Sequence, residues 1–384
     1  MWVKFRTISL PLLALLVSPV LADVSVLESG AVPNDGNDDT RAIQYAIDKA
    51  KPGEIVLLPP GTFLISNSID PRGQGRIIKG STALAWDGER VTSTTPTILK
   101  ATGDKPVFAF HGEEVLFRNL SFEGRAIFCD RPNNAMVRGL VFDNCWFSLK
   151  GMKNQGNCIE FTTGLSASKI TNCVFDPLEG DNGIYGYNWD NLVIANNHFL
   201  NGNEGIHLIA HLDASKDLLI EQNYFSGLHR MAVEVQGGGV NTVVQDNYYE
   251  KPVMTANRDF NNDTFAFSIV SDRSKGTIVR RNTSITLERP DFIGVRIIFE
   301  LGGKDVLCEQ NLSVGGNHVI AGNGAGATGA AKNNRISGFR EGPRNSNGAT
   351  IEYQNNDLDT PLNWDPNRGK PGPNKRLPTT LPAS

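Results

Sequence analysis

The segments QNYF (residues 222–225) and DNYY (residues 246–249) are two copies of a motif that recurs along most of the chain. In each copy a short apolar run ends in an asparagine, and a bulky apolar residue follows. Ten copies occur at intervals of 22 to 35 residues. Their asparagines are Asn119, Asn144, Asn172, Asn197, Asn223, Asn247, Asn282, Asn311, Asn333 and Asn355. Because a common turn residue rarely recurs this often with matching flanks, the motif indicates a structural repeat.

The repeat predicts short strands that stack. Most copies are preceded by a second apolar segment, such as GIHLI (205–209) or IIFEL (297–301), and Gly, Asn and Asp separate these segments. A unit of this length cannot bury its own apolar face, so it must pack on copies of itself. The sequence therefore predicts an all-β right-handed parallel β-helix, a solenoid with rungs ~4.8 Å apart. Its asparagines would form a hydrogen-bonded ladder between coils.

A different pattern occupies the N-terminal part of the chain. The segment RAIQYAIDKA (41–50) places its apolar residues on one helical face, and Lys51, Pro52 and Gly53 end the pattern. The segment EIVLLPPGTFLIS (54–66) then reads as strand, turn and strand. We expect a short helix that caps the open end of the solenoid.

Three regions are predicted along the chain. Residues 1–22 combine Lys4 and Arg6 with an apolar run and a small-residue cleavage site, the pattern of a signal peptide. An uncleaved anchor is the alternative. Residues 23–360 form the β-helix domain, and the Pro-rich residues 361–384 form a C-terminal tail. The leader predicts a secreted or periplasmic protein.

Composition limits the classes of protein that need to be considered. Hydrophobic residues make up 40% of the chain and charged residues 20%, which excludes disorder of the whole chain. A net charge of -4 disfavours a nucleic-acid or anionic-membrane partner. None of the five cysteines has the spacing of a zinc site. Cys145 and Cys173 occupy equivalent places in consecutive repeats and are either stacked thiols or a disulfide.

The segment GAVPNDGNDDTRAIQYAIDKAKPGEIVLLPPGTFLIS (30–66) resembles the N-terminal signature of the pectate-lyase-like superfamily. That superfamily includes hydrolases related to polygalacturonase and rhamnogalacturonase, lyases, epimerases and phage tailspikes. The resemblance implies a parallel β-helix and a polysaccharide or oligosaccharide partner. The chain lacks the NTD, GDD and RIK elements of family-28 polygalacturonases; the nearest stretches are EGDNGI (179–184) and GNEGIHL (202–208). An aspartate cluster like that of calcium pectate lyases is not found, so the resemblance leaves the reaction type open.

Strand alternation predicts one row of polar side chains on the outside of the solenoid. Its members on six consecutive rungs are Glu160, Tyr185, His207, Glu234, Ser268 and Glu300. Carboxylates, a phenol and an imidazole are the groups that transfer protons. We therefore predict Glu234, His207, Glu300 and Tyr185 as catalytic residues. A mixed polar surface aligned by chance is the alternative.

Further residues are predicted to bind substrate. Gln236 and Glu160 face the same side as the row, and Trp189 either stacks on a sugar ring or packs inside its turn. Two long connections, 251–265 and 286–296, supply Arg258 and Arg296, which could hold a sugar carboxylate. Surface decoration is the alternative for these connections. No metal site is predicted, and no cofactor, with calcium as an alternative for a lyase.

Three functions fit this row of side chains. The first is a glycoside hydrolase, in which Glu234 and Glu300 act as paired carboxylates two rungs apart. The second is a polysaccharide lyase, in which Tyr185 or His207 removes the proton next to a uronate carboxyl group. The third is a non-catalytic glycan-binding solenoid or adhesin. Neither the identity of the polysaccharide nor the oligomeric state follows from the sequence.

Overall fold

The computed structural model describes eleven segments of the chain: residues 23–87, 92–130, 135–150, 156–178, 182–211, 215–253, 265–270, 274–286, 297–316, 318–339 and 342–358. The predicted signal peptide (1–22) and Pro-rich tail (361–384) lie outside these residues.

The described chain forms three long parallel β-sheets. Sheet 1 has 14 strands: Val24–Ser25, Ile55–Leu58, Gln74–Gly80, Glu113–Arg118, Val137–Arg138, Val141–Asp143, Leu165–Thr171, Trp189–Ala195, Lys216–Glu221, Val240–Gln245, Ile278–Arg280, Val306–Glu309, Thr328–Lys332 and Thr350–Gln354. Sheet 2 has 12 strands: Gly61–Ile65, Thr97–Ala101, Ser121–Glu123, Trp146–Ser148, Val174–Leu178, His198–Asn201, Tyr224–Ser226, Tyr248–Glu250, Thr283–Thr286, Leu312–Gly315, Arg335–Ser337 and Asp357–Leu358. Sheet 3 has 10 strands: Phe108–Phe110, Ile127–Cys129, Ile159–Phe161, Asn182–Tyr187, Glu204–Ala210, Met231–Gly237, Phe265–Val270, Ile297–Leu301, His318–Gly322 and Arg344–Asn345.

The chain visits the three sheets in turn, and each strand pairs in parallel with the equivalent strand of the next coil. In the coil that contains Asn223, for example, Lys216–Glu221 lies in sheet 1, Tyr224–Ser226 in sheet 2 and Met231–Gly237 in sheet 3. This arrangement confirms the predicted all-β parallel solenoid. The right-handed winding stays a prediction. No helix in the described residues is long and apolar enough to cross a membrane.

The α-helix of the described chain spans Thr40–Lys49, where the sequence predicts it, and a short 3₁₀ helix spans Val26–Ser29. Asp39 fixes the start of the α-helix, because its carboxylate accepts hydrogen bonds from the backbone of Val32 at 2.8 Å and Leu64 at 3.2 Å. The buried face of the helix, including Ile43 and Ile47, belongs to the same apolar core as the solenoid. Its role as a cap of that core remains a prediction.

Aromatic side chains stack along the inside of the solenoid. Phe122, Phe147, Phe175, Phe199 and Phe225 occupy equivalent places on consecutive strands of sheet 2, with ring centroids 4.7–5.0 Å apart and planes within 10° of parallel. Each ring is buried, which contributes roughly 1.5–3 kcal/mol relative to an exposed side chain. Identical side chains in register therefore hold one coil above the next.

Two adjacent residues form the corner between sheets 1 and 2. The first has a positive φ, as Gln222 does at 55°, and the second is a buried asparagine whose amide bonds the neighbouring coils. The ladder asparagines are Asn197, Asn223, Asn247, Asn282, Asn311, Asn334 and Asn356. The predicted ladder is thus confirmed for five of its members. It is wrong at Asn333 and Asn355, which occupy the positive-φ place just before a ladder asparagine.

The first three motif asparagines also occupy the positive-φ place. Asn119, Asn144 and Asn172 have φ values of 59°, 55° and 57°. The ladder position that follows each of the last two is a cysteine, Cys145 or Cys173, and both are buried free thiols. Cys173 still takes part in the ladder, because its backbone N–H donates to the side-chain oxygen of Asn197 at 2.9 Å. The two cysteines are therefore stacked thiols and not a disulfide.

Candidate functional site

The predicted outward row exists on sheet 3. Strand register pairs Glu160 with Tyr185, Tyr185 with His207 and His207 with Glu234. Glu234 in turn pairs with Ser268, and Ser268 with Glu300. The residues on either side of Glu234 in its strand, Val233 and Val235, belong to the apolar core. The row therefore lies on the opposite face of the sheet from the core.

Five residues near the middle of the row form what we call the glutamate–arginine cluster: Glu204, His207, Arg230, Glu234 and Gln236. His207 Nδ1 lies 2.8 Å from Glu204 Oε2 and 3.5 Å from Glu234 Oε2. Arg230 Nη1 donates to Glu234 Oε2 at 3.0 Å and also bonds Glu204 Oε1. Gln236 Nε2 donates to Glu234 Oε1. One guanidinium group and one imidazole thus bridge two carboxylates.

The two carboxylates of the cluster differ in proton affinity. Burial favours the neutral form of Glu204, but its interaction with His207 and the charges of His207 and Arg230 lower its pKa below the usual value. Burial together with the negative charge of Glu204 raises the pKa of Glu234. Two neighbouring carboxylates whose pKa values are pushed apart are typical of acid and base roles. Glu234 is the member suited to carry a proton.

His207 favours its charged form more than a free histidine does. Burial opposes the charge, but the interaction with Glu204 and the negative charges of Glu204 and Glu234 raise the pKa of His207. Its Nδ1 faces the carboxylates, while its Nε2 is buried and has no hydrogen-bond partner within the described part of the chain. This Nε2–H is therefore a buried donor without an acceptor among the described residues.

The donor types of the cluster also suit a divalent cation, because ligand atoms of Glu204, His207 and Glu234 lie within 4.8 Å of one another. However, the guanidinium of Arg230 bonds both carboxylates, so its positive charge already takes the position of an ion between them. The geometry therefore favours an arginine-bridged carboxylate pair.

Glu300 belongs to a separate network two strands from Glu234. Ser268 Oγ donates to Glu300 Oε2 at 2.8 Å, and Asn323 Nδ2 donates to Glu300 Oε1 at 2.8 Å. Only 7% of Glu300 is exposed to solvent. The row thus brings Glu234 and Glu300 to one face of the sheet, with Ser268 between them.

The N-terminal end of the row has its own contacts. Glu160 accepts hydrogen bonds from Arg125 at 2.8 Å and from Asn157 at 3.2 Å. The hydroxyl groups of Tyr185 and Tyr187 lie 2.7 Å apart. Burial and this hydrogen bond raise the pKa of Tyr185 well above its ordinary value. The phenol of Tyr185 therefore stays protonated and is a poor base.

The structure separates the four remaining residues predicted to bind substrate. Gln236 lies in the cluster beside Glu234. Trp189 has no exposed surface and packs in the apolar core, so the prediction that it stacks on a sugar ring is wrong. Its strand position is in sheet 1, where it pairs with Leu165. Arg258 and Arg296 lie outside the described residues.

Sequence reasoning missed Glu204 and Arg230. Glu204 opens its strand two residues before the inward-facing Ile206, so simple alternation assigns it to the core side. It is indeed buried, with 1% of its surface exposed, yet its carboxylate reaches His207. The spacing of Glu204 and His207, three residues apart, was the sequence signal that could have indicated a contact between their side chains. Arg230 precedes its strand, where alternation gives no direction.

The parallel solenoid is the fold of one class of proteins, the pectate-lyase-like β-helix proteins. A family model described as rhamnogalacturonase A/epimerase, pectate lyase-like, matches residues 24–258. The chain therefore belongs to this family. A comparison with curated protein sequences gives no match.

Solved structures share the fold at low sequence identity. ORF18 of Geobacillus virus E2 is 15% identical with a TM-score of 0.54, over 88% of this chain and 61% of the viral chain. The catalytic unit of a GH87 α-1,3-glucanase from Streptomyces thermodiastaticus strain HF3-3 is 14% identical with a TM-score of 0.51, over 88% of this chain and 69% of that chain. The surface adhesin PfbA of Streptococcus pneumoniae is 16% identical with a TM-score of 0.49, over 88% and 93%. At these identities the likeness to the viral and glucanase structures is one of fold.

Proposed function

We propose that the protein is a secreted glycoside hydrolase that cleaves a polysaccharide, with Glu234 as general acid and Glu300 as general base. The observation that carries this proposal is the pair of outward carboxylates in different environments. Glu234 lies beside the ionised Glu204 and has a raised pKa, whereas both oxygens of Glu300 accept hydrogen bonds from neutral donors. An acid that holds its proton and a carboxylate that accepts one are the two groups that glycoside hydrolysis needs.

The spacing of the pair favours inversion at the anomeric carbon. Two rungs separate the backbones by roughly 9–10 Å, and inverting enzymes hold their carboxyl groups ~6.5–9.5 Å apart. Glu204 lies closer to Glu234, but His207 and Arg230 lower the pKa of Glu204, so it is the ionised partner of the two and does not carry the proton. We therefore assign Glu204 the role of holding His207 and Arg230 in place.

The lyase alternative needs a base, and the row offers poor ones. The raised pKa of Tyr185 keeps its phenol protonated, and the raised pKa of His207 favours the charged form of its imidazole. A charged imidazole cannot accept the proton next to a uronate carboxyl group. Both observations favour hydrolysis.

A non-catalytic glycan-binding protein is the second candidate, and one observation favours it. Every carboxylate oxygen of Glu204 and Glu234 has a partner within the protein. Buried ion networks of this kind also occur as structural elements. If the protein only binds glycans, replacing Glu234 by Gln would leave glycan binding nearly intact, and neither the parent nor the variant would show turnover.

The test is a panel of plant, algal and bacterial polysaccharides that includes rhamnogalacturonan. Reducing ends and ultraviolet-absorbing unsaturated uronides are measured in parallel, with EDTA in a duplicate set to detect calcium dependence. Hydrolysis predicts reducing ends without unsaturated products, and NMR of the first product should show inverted anomeric configuration. Unsaturated products would establish the lyase instead, and binding without either product would establish the adhesin.

Two variants test the assigned roles. Glu234→Gln and Glu300→Gln should each lower turnover by roughly 10²–10⁴-fold, the usual contribution of a proton-transferring group. Glu221→Gln is the matched control, because Glu221 faces outward on sheet 1 and accepts a hydrogen bond from Gln245. Glu160→Gln, three rungs from Glu234, should cost much less than Glu234→Gln. Full activity of Glu234→Gln would exclude it as the acid.

Secretion is the last part of the proposal. It rests on the apolar leader of residues 1–22, with Lys4 and Arg6 before the apolar run. N-terminal sequencing of the exported protein should give a chain that begins after Ala22. A chain that begins at Met1 and stays in the membrane fraction would indicate the uncleaved anchor.

A further inference from the structure

Two aromatic rings lie side by side at the edge of the candidate site. Tyr187 ends the strand Asn182–Tyr187, and His211 directly follows the strand Glu204–Ala210 of the next coil. Their ring centroids are 4.6 Å apart and their planes are inclined by 38°. His211 is exposed and Tyr187 is half-buried, so solvent reaches this pair more readily than it reaches the buried cluster.

The pair is connected to the proposed acid by a second outward row. Tyr187 pairs with Ile209, and Ile209 pairs with Gln236 on the strand of Glu234. Ile209 and Gln236 are both partly exposed, and the amide of Gln236 donates to Glu234. A molecule lying on this second row therefore passes from the aromatic pair, over an aliphatic side chain, to the proposed acid.

A polar contact holds the ring of Tyr187, and another anchors the backbone that carries His211. The hydroxyl of Tyr187 bonds that of Tyr185 at 2.7 Å, and the backbone N–H of His211 donates to the side chain of Asn188 at 2.9 Å. Rings whose positions are fixed before binding lose little conformational entropy when a ligand stacks on them. This is the arrangement expected of a binding platform.

We propose that Tyr187 and His211 form a sugar-stacking subsite next to Glu234, with Ile209 as its apolar floor. The ligand is a pyranose ring, whose C–H face packs on the aromatic rings while its hydroxyl groups stay in water. The side-chain oxygen of Gln236 has no protein partner among the described residues and can accept a bond from a sugar hydroxyl. The subsite rests on the proposed polysaccharide substrate but not on the catalytic roles. It replaces the stacking position predicted for the buried Trp189.

The experiment measures binding without turnover in the full-length Glu234→Gln protein. The probes are oligosaccharides released from rhamnogalacturonan and from α-1,3-glucan, titrated by calorimetry. Adding Tyr187→Ala should raise Kd roughly three- to tenfold, the range expected for losing one aromatic contact. Tyr187→Phe should bind like the parent. Tyr45→Ala is the control, because Tyr45 is 61% exposed on the N-terminal helix.

The same changes in the active protein give a second measurement. Tyr187→Ala should raise KM with kcat little changed, because the stacking contact stabilises the bound substrate and the transition state equally. The inference is overturned if Tyr187→Ala keeps the parental Kd and melting temperature, or if the Glu234→Gln protein binds neither probe. If binding depends on Tyr187 but no reducing ends ever appear, the subsite stands and the hydrolase proposal falls.

Discussion

Asn247 is the residue whose loss should test the ladder most directly, because it lies in the interior of the ladder with 1% of its surface exposed. Its side-chain amide donates to the backbone oxygen of Ile220 at 3.0 Å and to Asn282 Oδ1 at 3.0 Å. Its Oδ1 accepts from the backbone N–H and the side-chain amide of Asn223, both at 3.0 Å. Asn247→Ala removes all four hydrogen bonds at once.

The size of the effect follows from what each lost bond leaves behind. The backbone N–H of Asn223 loses its acceptor in a buried site, and an unsatisfied buried group costs ~1–3 kcal/mol. The side-chain amide of Asn223 keeps its bond to Ile194 at 2.9 Å, so its loss is smaller. Adding a net loss of ~0.5–1.5 kcal/mol in total for the other three bonds, we expect the free energy of unfolding to fall by about 1.5–4.5 kcal/mol. That is a large part of the ~5–15 kcal/mol typical of folded domains.

The assay is equilibrium unfolding in urea, followed by the β-sheet circular dichroism signal. Gln222→Ala is the matched control, because Gln222 is the exposed positive-φ residue next to a ladder asparagine. It should change the free energy of unfolding by no more than ~0.5 kcal/mol. If Asn247→Ala unfolds at the same urea concentration as Gln222→Ala, the ladder does not carry the stability that its hydrogen bonds imply.

Three other changes have defined outcomes. Cys173→Asn should keep or raise the free energy of unfolding in urea, because it extends the ladder by one amide next to Asn197. A fall in that free energy of more than ~1 kcal/mol would contradict this. Glu204→Gln should lower the pKa of His207 in an NMR titration, since Glu204 contributes more than Glu234 to raising it, and an unchanged titration would contradict this assignment. The pKa of His207 is raised in the folded protein, so the charged imidazole stabilises the fold below its ordinary pKa of 6.5. This stabilisation should be lost as the pH rises through the folded pKa, and urea unfolding curves measured at a series of pH values would show the loss. Activity should fall on the alkaline side as Glu234 loses its proton, at a pH above its ordinary pKa of 4.5, and a flat pH–rate profile there would exclude it as the acid.

The repeat was predictable from the sequence because few structures require an asparagine followed by a bulky apolar residue at such regular intervals. The corner, however, has two adjacent positions that both suit asparagine. The first needs a positive φ, which Asn tolerates better than most residues, and the second needs an amide. Where the sequence reads Asn333-Asn334 or Asn355-Asn356, residue type alone cannot assign the two roles. The error of one residue at these coils has that cause.

The candidate site was predictable where strand alternation holds and not where it ends. His207 and Glu234 lie inside strands, and their direction followed from their apolar neighbours. Glu204 and Arg230 lie at or before strand starts, where the backbone turns and the period of two no longer gives the direction of a side chain. Trp189 was misplaced for the same reason, because it begins the strand after the corner between sheets 3 and 1.

The ladder also has a consequence for how such a chain can change its length. Successive ladder asparagines are separated by as few as 22 and as many as 35 residues, yet each meets the next at the same corner with hydrogen bonds of 2.9–3.1 Å. Each coil therefore returns to a common reference point, and extra residues elsewhere in one coil do not shift the strands of the next. The longest separation, between Asn247 and Asn282, falls in the coil that follows Glu234. Insertions can accumulate in one coil while the rest of the solenoid keeps its register, so one scaffold can host many binding surfaces.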